Sequence, residues 1–284
     1  MRAALIQMRS GADRKANVAA LRDGAREAAG MGATYVQTPE MTGMIAPRDD
    51  MLAAAVPERD DPVLAEASRL ASEHRVWVHI GSTAVRSERE RGKLANRALL
   101  FAPDGSLRAR YDKLHMFDVD LPDGETWRES AMYAAGDAAV VAEVDGTMLG
   151  MGICYDLRFP ALFAAQARAG ATVLTVTAAF TAQTGRAHWD VLCRARAIEC
   201  GAFLLAAAQG GHHEDGDGRR TWGRSIVVDP WGAVIGMLDH DEPGVLCVDI
   251  DPARSAEAHS RIRNLDHARD FALRVEAPVR EAAQ

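Results

Sequence analysis

Short apolar runs alternate with helical patterns along most of this chain, yet three pairs of runs are joined by tight turns. Residues 96–102 and 107–111 flank Pro103-Asp104-Gly105, 138–144 and 148–153 flank Asp145-Gly146, and 225–228 and 234–238 flank Asp229-Pro230-Trp231-Gly232. Tight turns of this kind join antiparallel strands, whereas strands separated by a helix pair in parallel. A chain that carries both cannot form a purely parallel, doubly wound sheet. The pattern predicts an α/β protein whose sheets carry helices on their outer faces and pack on each other inside.

The remaining elements follow the same logic. Residues 3–7 read as a first strand and 13–31 as an alanine-rich helix stopped by Gly30 and Gly32. Asp61-Pro62 is a cap followed by proline at the first helical position, so a helix runs to about His74. Strands are expected at 35–37, 76–82, 172–177 and 203–207, and helices at 160–169 and 187–200. A strand at 245–249 is placed beside the third hairpin. No compositional break or repeat divides the chain, which reads as one domain over 1–284 with 252–284 as a C-terminal arm. Four long loops, 39–57, 112–133, 178–187 and 209–222, are where a site is expected.

Composition excludes several functions. The formal net charge is −7 and no block of Lys and Arg occurs, which argues against nucleic acid or an anionic membrane as partner. The longest apolar runs are too short to span a bilayer. Met1-Arg2-Ala3-Ala4-Leu5-Ile6-Gln7-Met8 reads as a strand rather than a secretory signal, and the four cysteines lack Cys-x-x-Cys spacing. A cytoplasmic protein is expected.

One stretch carries chemistry: Gly152-Ile153-Cys154-Tyr155-Asp156-Leu157-Arg158-Phe159-Pro160. It places a cysteine on the turn between a buried strand and a helix, where backbone N–H groups and a helix N-terminus support negative charge. A packed, inert thiol is the alternative for that segment alone. Glu40 ends a strand after Thr38-Pro39, and Lys113 lies just past a hairpin strand. Glu129 stands in Trp127-Arg128-Glu129-Ser130. Each alone reads as a solvated charge. Together they make a complete set: a carboxylate to take the thiol proton and an ammonium to stabilise a tetrahedral oxyanion. Serine-elbow, zinc-protease, dinucleotide and Walker motifs are absent from the sequence.

Four separated motifs, in order, resemble those of the nitrilase superfamily of carbon–nitrogen hydrolases. They are Thr38-Pro39-Glu40, Tyr111-Asp112-Lys113-Leu114-His115, the Cys154 segment, and Thr184-Gly185-Arg186-Ala187-His188-Trp189; Arg194-Ala195-Arg196-Ala197-Ile198-Glu199 and Val228-Asp229-Pro230-Trp231-Gly232 extend the likeness. The resemblance implies a four-layer αββα sandwich that dimerises, and a Glu–Lys–Cys triad without metal or cofactor. It makes Cys154 the nucleophile, Glu40 the general base, and Lys113 with the Tyr155 backbone N–H the oxyanion hole. Glu129 supports the lysine. Tyr155, Phe180, Thr181, Arg186 and His188 become the expected substrate-binding residues. Asp156 and Arg158 are expected to hold the turn, paired with each other or with backbone.

Within the superfamily the chain is similar to the nitrilase-like amidases, on His115-Met116-Phe117-Asp118-Val119-Asp120-Leu121-Pro122, Arg128-Glu129-Ser130 and Ala208-Gln209-Gly210-Gly211-His212-His213. The resemblance implies cleavage of a terminal amide from a small carboxylate-bearing 2-oxo compound such as deaminated glutathione, with release of ammonia. An ω-amidase acting on α-ketoglutaramate is the nearest alternative. N-carbamoyl amide hydrolase, aliphatic amidase and nitrilase are further ones, and a catalytically silent binding protein is the alternative from another class. His212-His213-Glu214 lacks a third ligand at metal-site spacing. The 210–224 loop, with Arg219, Arg220 and Arg224, is instead a candidate for recognising a substrate carboxylate.

Overall fold

The computed structural model describes residues 1–121, 124 and 126–275. Two six-stranded sheets face each other. The first has the order β16-β1-β2-β3-β4-β5, with β1 Arg2–Gln7, β2 Tyr35–Gln37, β3 Trp77–Arg86, β4 Leu94–Phe101, β5 Leu107–Asp112 and β16 Gly244–Asp249. The second has the order β15-β14-β11-β10-β9-β8, with β8 Val141–Val144, β9 Thr147–Ile153, β10 Val173–Ala178, β11 Phe203–Ala208, β14 Ile226–Val228 and β15 Val234–Met237. Two small hairpins, β6 Asp118–Asp120 with β7 Thr126–Arg128 and β12 Gly210–His212 with β13 Arg220–Trp222, sit in the long loops.

Alternation along the strands explains the layering. On β1, Ala3 and Leu5 join the core between the sheets, while Ala4 and Ile6 join a second core with Leu21, Ala25, Val63 and Leu70. The latter residues belong to helices α1 Arg14–Gly30 and α3 Pro62–His74, which cover the outer face of the first sheet. Strands buried on both faces read as continuous apolar runs. Helices α4 Pro160–Arg168 and α5 Ala182–Cys200 contribute Phe163, Trp189, Cys193 and Ala197 on the second sheet. The result is helix, sheet, sheet, helix. Polar groups also tie the sheets: Gln37 Nε2 donates to the carbonyls of Val176 at 3.2 Å and Leu205 at 3.3 Å, and Thr177 Oγ1 donates to that of Gly81 at 2.7 Å. The short helices α2 Arg48–Ala54 and α6 Ala253–Arg261 lie outside these layers in sequence.

Two expectations are corrected. Strand β16 packs across from β15 of the third hairpin but does not join its sheet. It pairs antiparallel with β1, Arg2 opposite Asp249 and Gln7 opposite Gly244, so the chain crosses between sheets after β15 and closes the otherwise open edge of β1. Helix α5 begins at Ala182, not Ala187, because Thr181 caps it by accepting from Thr184 N at 3.3 Å. Gly185 and Arg186, read as loop, are therefore helical. Gly185 is there for close packing, since a Cβ on it would stand 2.3 Å from Cβ of Trp222. In the C-terminal arm, α6 docks through Ser255 Oγ on the Thr172 carbonyl at 2.9 Å and through Arg254 on Asp229 at 2.6 Å. The end of that arm, 276–284, lies outside the described residues. No described helix is long and apolar enough to cross a membrane.

Candidate active site

Four separate segments bring Glu40, Lys113, Glu129 and Cys154 to one cavity. Glu40 follows the end of β2, Lys113 follows β5, Glu129 opens a single 3₁₀ turn over 129–131, and Cys154 opens another over 154–158 directly after β9. Strands β2 and β3 run parallel, β3–β4 and β4–β5 antiparallel, so β2 and β5 end on the same side. Such strand ends are where α/β sheets present ligands.

The turns are held by identifiable contacts. Cys154 adopts φ 49° and Met41, next to Glu40, φ 56°. Side chains other than glycine rarely adopt this region, and such conformations persist only where neighbours over-determine them. Asp156 does so at the cysteine: its Oδ2 accepts from Ile153 N at 2.9 Å and Tyr111 Oη at 2.6 Å, and its Oδ1 accepts from His115 N at 3.1 Å. The His115 ring bonds the same carboxylate at 2.7 Å and stacks on Phe159 with centroids 3.5 Å apart, which commits it to the turn.

Charge at the cavity floor is shared. Lys113 Nζ donates to Glu40 Oε1 and to both oxygens of Glu129, each at 2.9 Å. Asn96 Nδ2 donates to Glu40 Oε1 at 2.9 Å and Glu129 Oε1 at 3.3 Å. Backbone N–H groups complete the set, Ala179 on Glu40 Oε2 at 2.9 Å and Phe117 on Glu129 Oε2 at 2.7 Å. Cys154 hydrogen-bonds Glu40 in turn.

Burial would push the Glu40 carboxyl up, but Lys113, Cys154 and Asn96 together hold it below its ordinary value. Burial lifts the Glu129 carboxyl, and repulsion from Glu40 adds to it against the pull of Lys113. The Lys113 ammonium resists the opposing effect of burial and lies well above its ordinary value, because two carboxylates face it. Burial, then the Glu40 charge, pushes the Cys154 thiol well up. At neutral pH the pocket thus holds a thiol beside a carboxylate and an ammonium, an arrangement suited to removing the thiol proton only as sulfur attacks.

Above the floor the cavity has a volume of about 270 Å³. Tyr155, Phe180 and Thr181 line it as expected. Arg186 and His188 do not. Both lie on the exposed side of α5, Arg186 over the Trp222 ring in a separate shallow cleft and His188 beside Arg158 at 3.2 Å. Their expected role came from the family resemblance; Arg186 is helical rather than in a loop, and His188, helical as expected, faces outward from the helix. Arg158 is corrected in the other direction: Asp156 holds the turn without it, while its guanidinium lies 5.4 Å from the Phe180 ring centroid and lines the cavity. Of the three arginines of the 210–224 loop, Arg219 alone lines the cavity, whereas Arg220 and Arg224 pair with Asp241 and Asp239.

Sequence reasoning missed Asn96, Phe117, Trp127 and Arg48. Asn96 is a buried polar residue in β4, but its neighbour Arg97 is buried and charged as well, so the strand's pattern does not single it out. Phe117, Trp127 and Arg48 fall in loops already suspected, but nothing local distinguishes them. His213, buried, binds the Ser10 carbonyl and Thr221 Oγ1, each at 2.7 Å, and His212 is exposed. Among the described residues no group of three or more His, Cys, Asp or Glu is placed to hold a metal ion.

Comparison with known proteins gives a consistent answer. The family model for carbon-nitrogen hydrolase matches residues 2–260. The chain is 39% identical over 267 residues to deaminated glutathione amidase of Yersinia enterocolitica, covering 94% of this chain and 92% of the relative. It is 34% identical to omega-amidase NIT2 of Homo sapiens, covering 92% of each. Among solved structures it is similar to a mutant of the amidase from Nesterenkonia sp. AN1, showing covalent addition of the acetamide moiety of fluoroacetamide at the active site cysteine. That likeness has a TM-score of 0.76 and 26% identity, and covers 94% of this chain and 96% of that one. The chain belongs to the carbon–nitrogen hydrolase family and, with its αββα sandwich, is a hydrolase of carbon–nitrogen bonds other than peptide bonds.

Proposed function

We propose that the chain is a thiol amidohydrolase for amides of small carboxylate-bearing 2-oxo compounds, deaminated glutathione being the substrate favoured. The expected terminal amide with release of ammonia fits 2-oxoglutaramate, whereas deaminated glutathione, amide-bonded through its peptide nitrogen, releases an amine. The observation that carries this reading is a thiol hydrogen-bonded to a buried carboxylate, with an ammonium 2.9 Å from the same carboxylate and an arginine, Arg158, in the cavity wall. The arginine has no carboxylate partner among the described residues, and a guanidinium so placed is suited to a 2-oxo acid carboxylate. Names of relatives at 34–39% identity point the same way.

In the proposed reaction Cys154 Sγ attacks the amide carbon as Glu40 takes its proton. Lys113 Nζ and the Tyr155 backbone N–H stabilise the oxyanion. On collapse the C–N bond breaks and Glu40 returns the proton to the departing nitrogen, which leaves as an amine, or as ammonia when the amide is terminal. Water then attacks the thioester, losing its proton to Glu40, and the acid and the Cys154 thiol are released. Glu129 takes no proton and holds Lys113. An ω-amidase acting on α-ketoglutaramate is the second reading, favoured by the likeness to the human relative.

Release of amine or ammonia from 2-oxo-ω-amides, measured beside N-carbamoyl amino acids, aliphatic amides and nitriles, tests the reading. Turnover of the 2-oxo-amides at the highest kcat/KM is expected; turnover confined to nitriles or carbamoyl compounds contradicts it. A homodimer belongs to the same proposal. Val191 and Ile198 on α5, with Trp231 and Val234 on the turn and strand beyond, are exposed apolar side chains, and Arg194 Nε ties α5 to the Gly232 carbonyl at 2.8 Å. Light scattering at the mass of two chains is expected.

A further inference from the structure

The cavity wall is a row of aromatic rings with a guanidinium at each end. Arg158 Cζ lies 5.9 Å from the Tyr155 ring centroid. Tyr155 meets Phe117 edge-on at 5.1 Å, Phe117 meets Trp127 at 6.2 Å, and Arg219 Cζ stands 4.6 Å over Trp127. All five side chains line the cavity. The thiol belongs to the residue preceding Tyr155, so one step of the row separates its neighbourhood from Arg158 and three separate it from Arg219. The site is therefore asymmetric about the nucleophile, with a short arm and a long one, each ending in a positive charge.

Arg219 is held for binding at its outer end. Asp215 Oδ2 forms an ion pair with its Nε at 3.6 Å, too long for a hydrogen bond, and Asp215 Oδ1 is occupied by the backbone N–H groups of Asp217, Gly218 and Arg219. Arg219 Nε and Asp215 Oδ2 are both buried without a hydrogen-bond partner among the described residues. Arg48 and Arg128 line the same cavity, and Arg128 is paired with Asp120 at 2.7 Å. Asp217 also lines it and opposes them. With Asp120, Asp215 and Asp217 counted, the three arginines are matched in number, so Arg219 is set apart by its place over the Trp127 ring in the cavity lining rather than by an excess of charge.

We infer that Arg219 is a specificity-determining residue that binds a second carboxylate, carried by the departing amine rather than by the acyl half. This rests on the proposed reading and deepens it: the substrate class is a 2-oxo acid amide whose nitrogen belongs to a short peptide with a free C-terminus. Deaminated glutathione has this form, a 2-oxoglutaryl group amide-bonded to cysteinylglycine. The short arm takes the 2-oxo acid carboxylate at Arg158, Cys154 stands at the amide carbon, and the long arm carries the dipeptide past Phe117 and Trp127 to Arg219. A charge-assisted contact in a partly desolvated site contributes about a tenfold preference or more.

The test uses three amides on wild-type protein and on Arg219→Gln: 2-oxoglutaryl-cysteinylglycine, the same compound with a C-terminal glycinamide, and 2-oxoglutaramate. The readout is the ratio of kcat/KM for the free acid to that for the glycinamide, which is independent of the folded fraction in a preparation. A ratio of about ten or more is expected for wild type, expressed mainly in KM. It is expected near one in Arg219→Gln, partly restored in Arg219→Lys, and retained in Arg158→Gln, where both substrates suffer together. A ratio near one in wild type, or an unchanged ratio in Arg219→Gln, overturns the inference. Hydrolysis of 2-oxoglutaramate without the two longer amides also overturns it but leaves the proposed amidase reading standing; hydrolysis of none of the three removes both.

Discussion

Lys113 Nζ lies 2.9 Å from Glu40 Oε1, with the two side chains only 2% and 6% exposed. An ion pair so far from water is weak evidence for stability, but removing one member leaves a buried charge without its partner. Lys113→Met is therefore expected to lose about 3–5 kcal/mol of stability by denaturant titration. Its kcat is expected to fall by roughly 10²–10³ or more through loss of the oxyanion donor. Wild-type stability together with wild-type turnover contradicts both roles.

Asn96 is a positioning residue for the same carboxylate. Its Nδ2 bond favours the ionised form of Glu40, so removing it raises the Glu40 pKa. A higher pKa leaves more of the base protonated at a given acidic pH. The acid limb of kcat/KM in Asn96→Ala is expected to move toward neutrality, with about a tenfold loss on the plateau. A profile of unchanged midpoint argues that Asn96 only fills space.

Arg158→Gln separates binding from chemistry. Because Arg158 has no contact with Glu40 or Lys113 among those described, the proposed carboxylate contact predicts a KM raised about tenfold or more for a 2-oxo acid amide. The kcat is expected to change far less. A drop confined to kcat contradicts substrate binding by Arg158.

These residues show unevenly in the sequence. Glu40, Lys113 and Cys154 stand at ends of strands that hairpin and turn signals delimit, so their approach to one pocket follows once the sheets are paired. The first sheet's edge was not legible, because β16 resembles any short apolar strand and its partner is decided by which edge is open. Arg186 was misplaced because Gly185 reads as a loop residue, whereas close packing on Trp222 requires it inside a helix; His188 reads as helical, but the resemblance that gives it a role does not fix which face of the helix it is on. Asn96 and Arg219 gain their positions from contacts distant in sequence, Asn96 to Glu40 and Arg219 to Trp127, and no local pattern encodes those.

A separate prediction concerns the core between the sheets. Burial pushes the His79 imidazole down to about 3, and its Nδ1 takes part in a 2.7 Å bond with Tyr35 Oη. The folded value is depressed relative to the unfolded one, so this contribution is intact above the unfolded value of about 6.5 and is lost as pH falls. Linkage gives about 2 kcal/mol of destabilisation between pH 7.5 and pH 5 from this group. Unfolding midpoints across that range check it, and a His79→Gln variant is expected to show a shallower slope.

The acyl state of Cys154 is the most direct measurement. Protein mixed with 2-oxoglutaryl-cysteinylglycine and quenched in acid within a turnover is expected to carry the mass of a 2-oxoglutaryl group on the peptide containing Cys154. Glu129→Gln or a slow amide should let that adduct accumulate, and Cys154→Ala should show neither adduct nor turnover. Substrate turnover with an unmodified Cys154 peptide at every quench time, sustained in Cys154→Ala, would contradict the account.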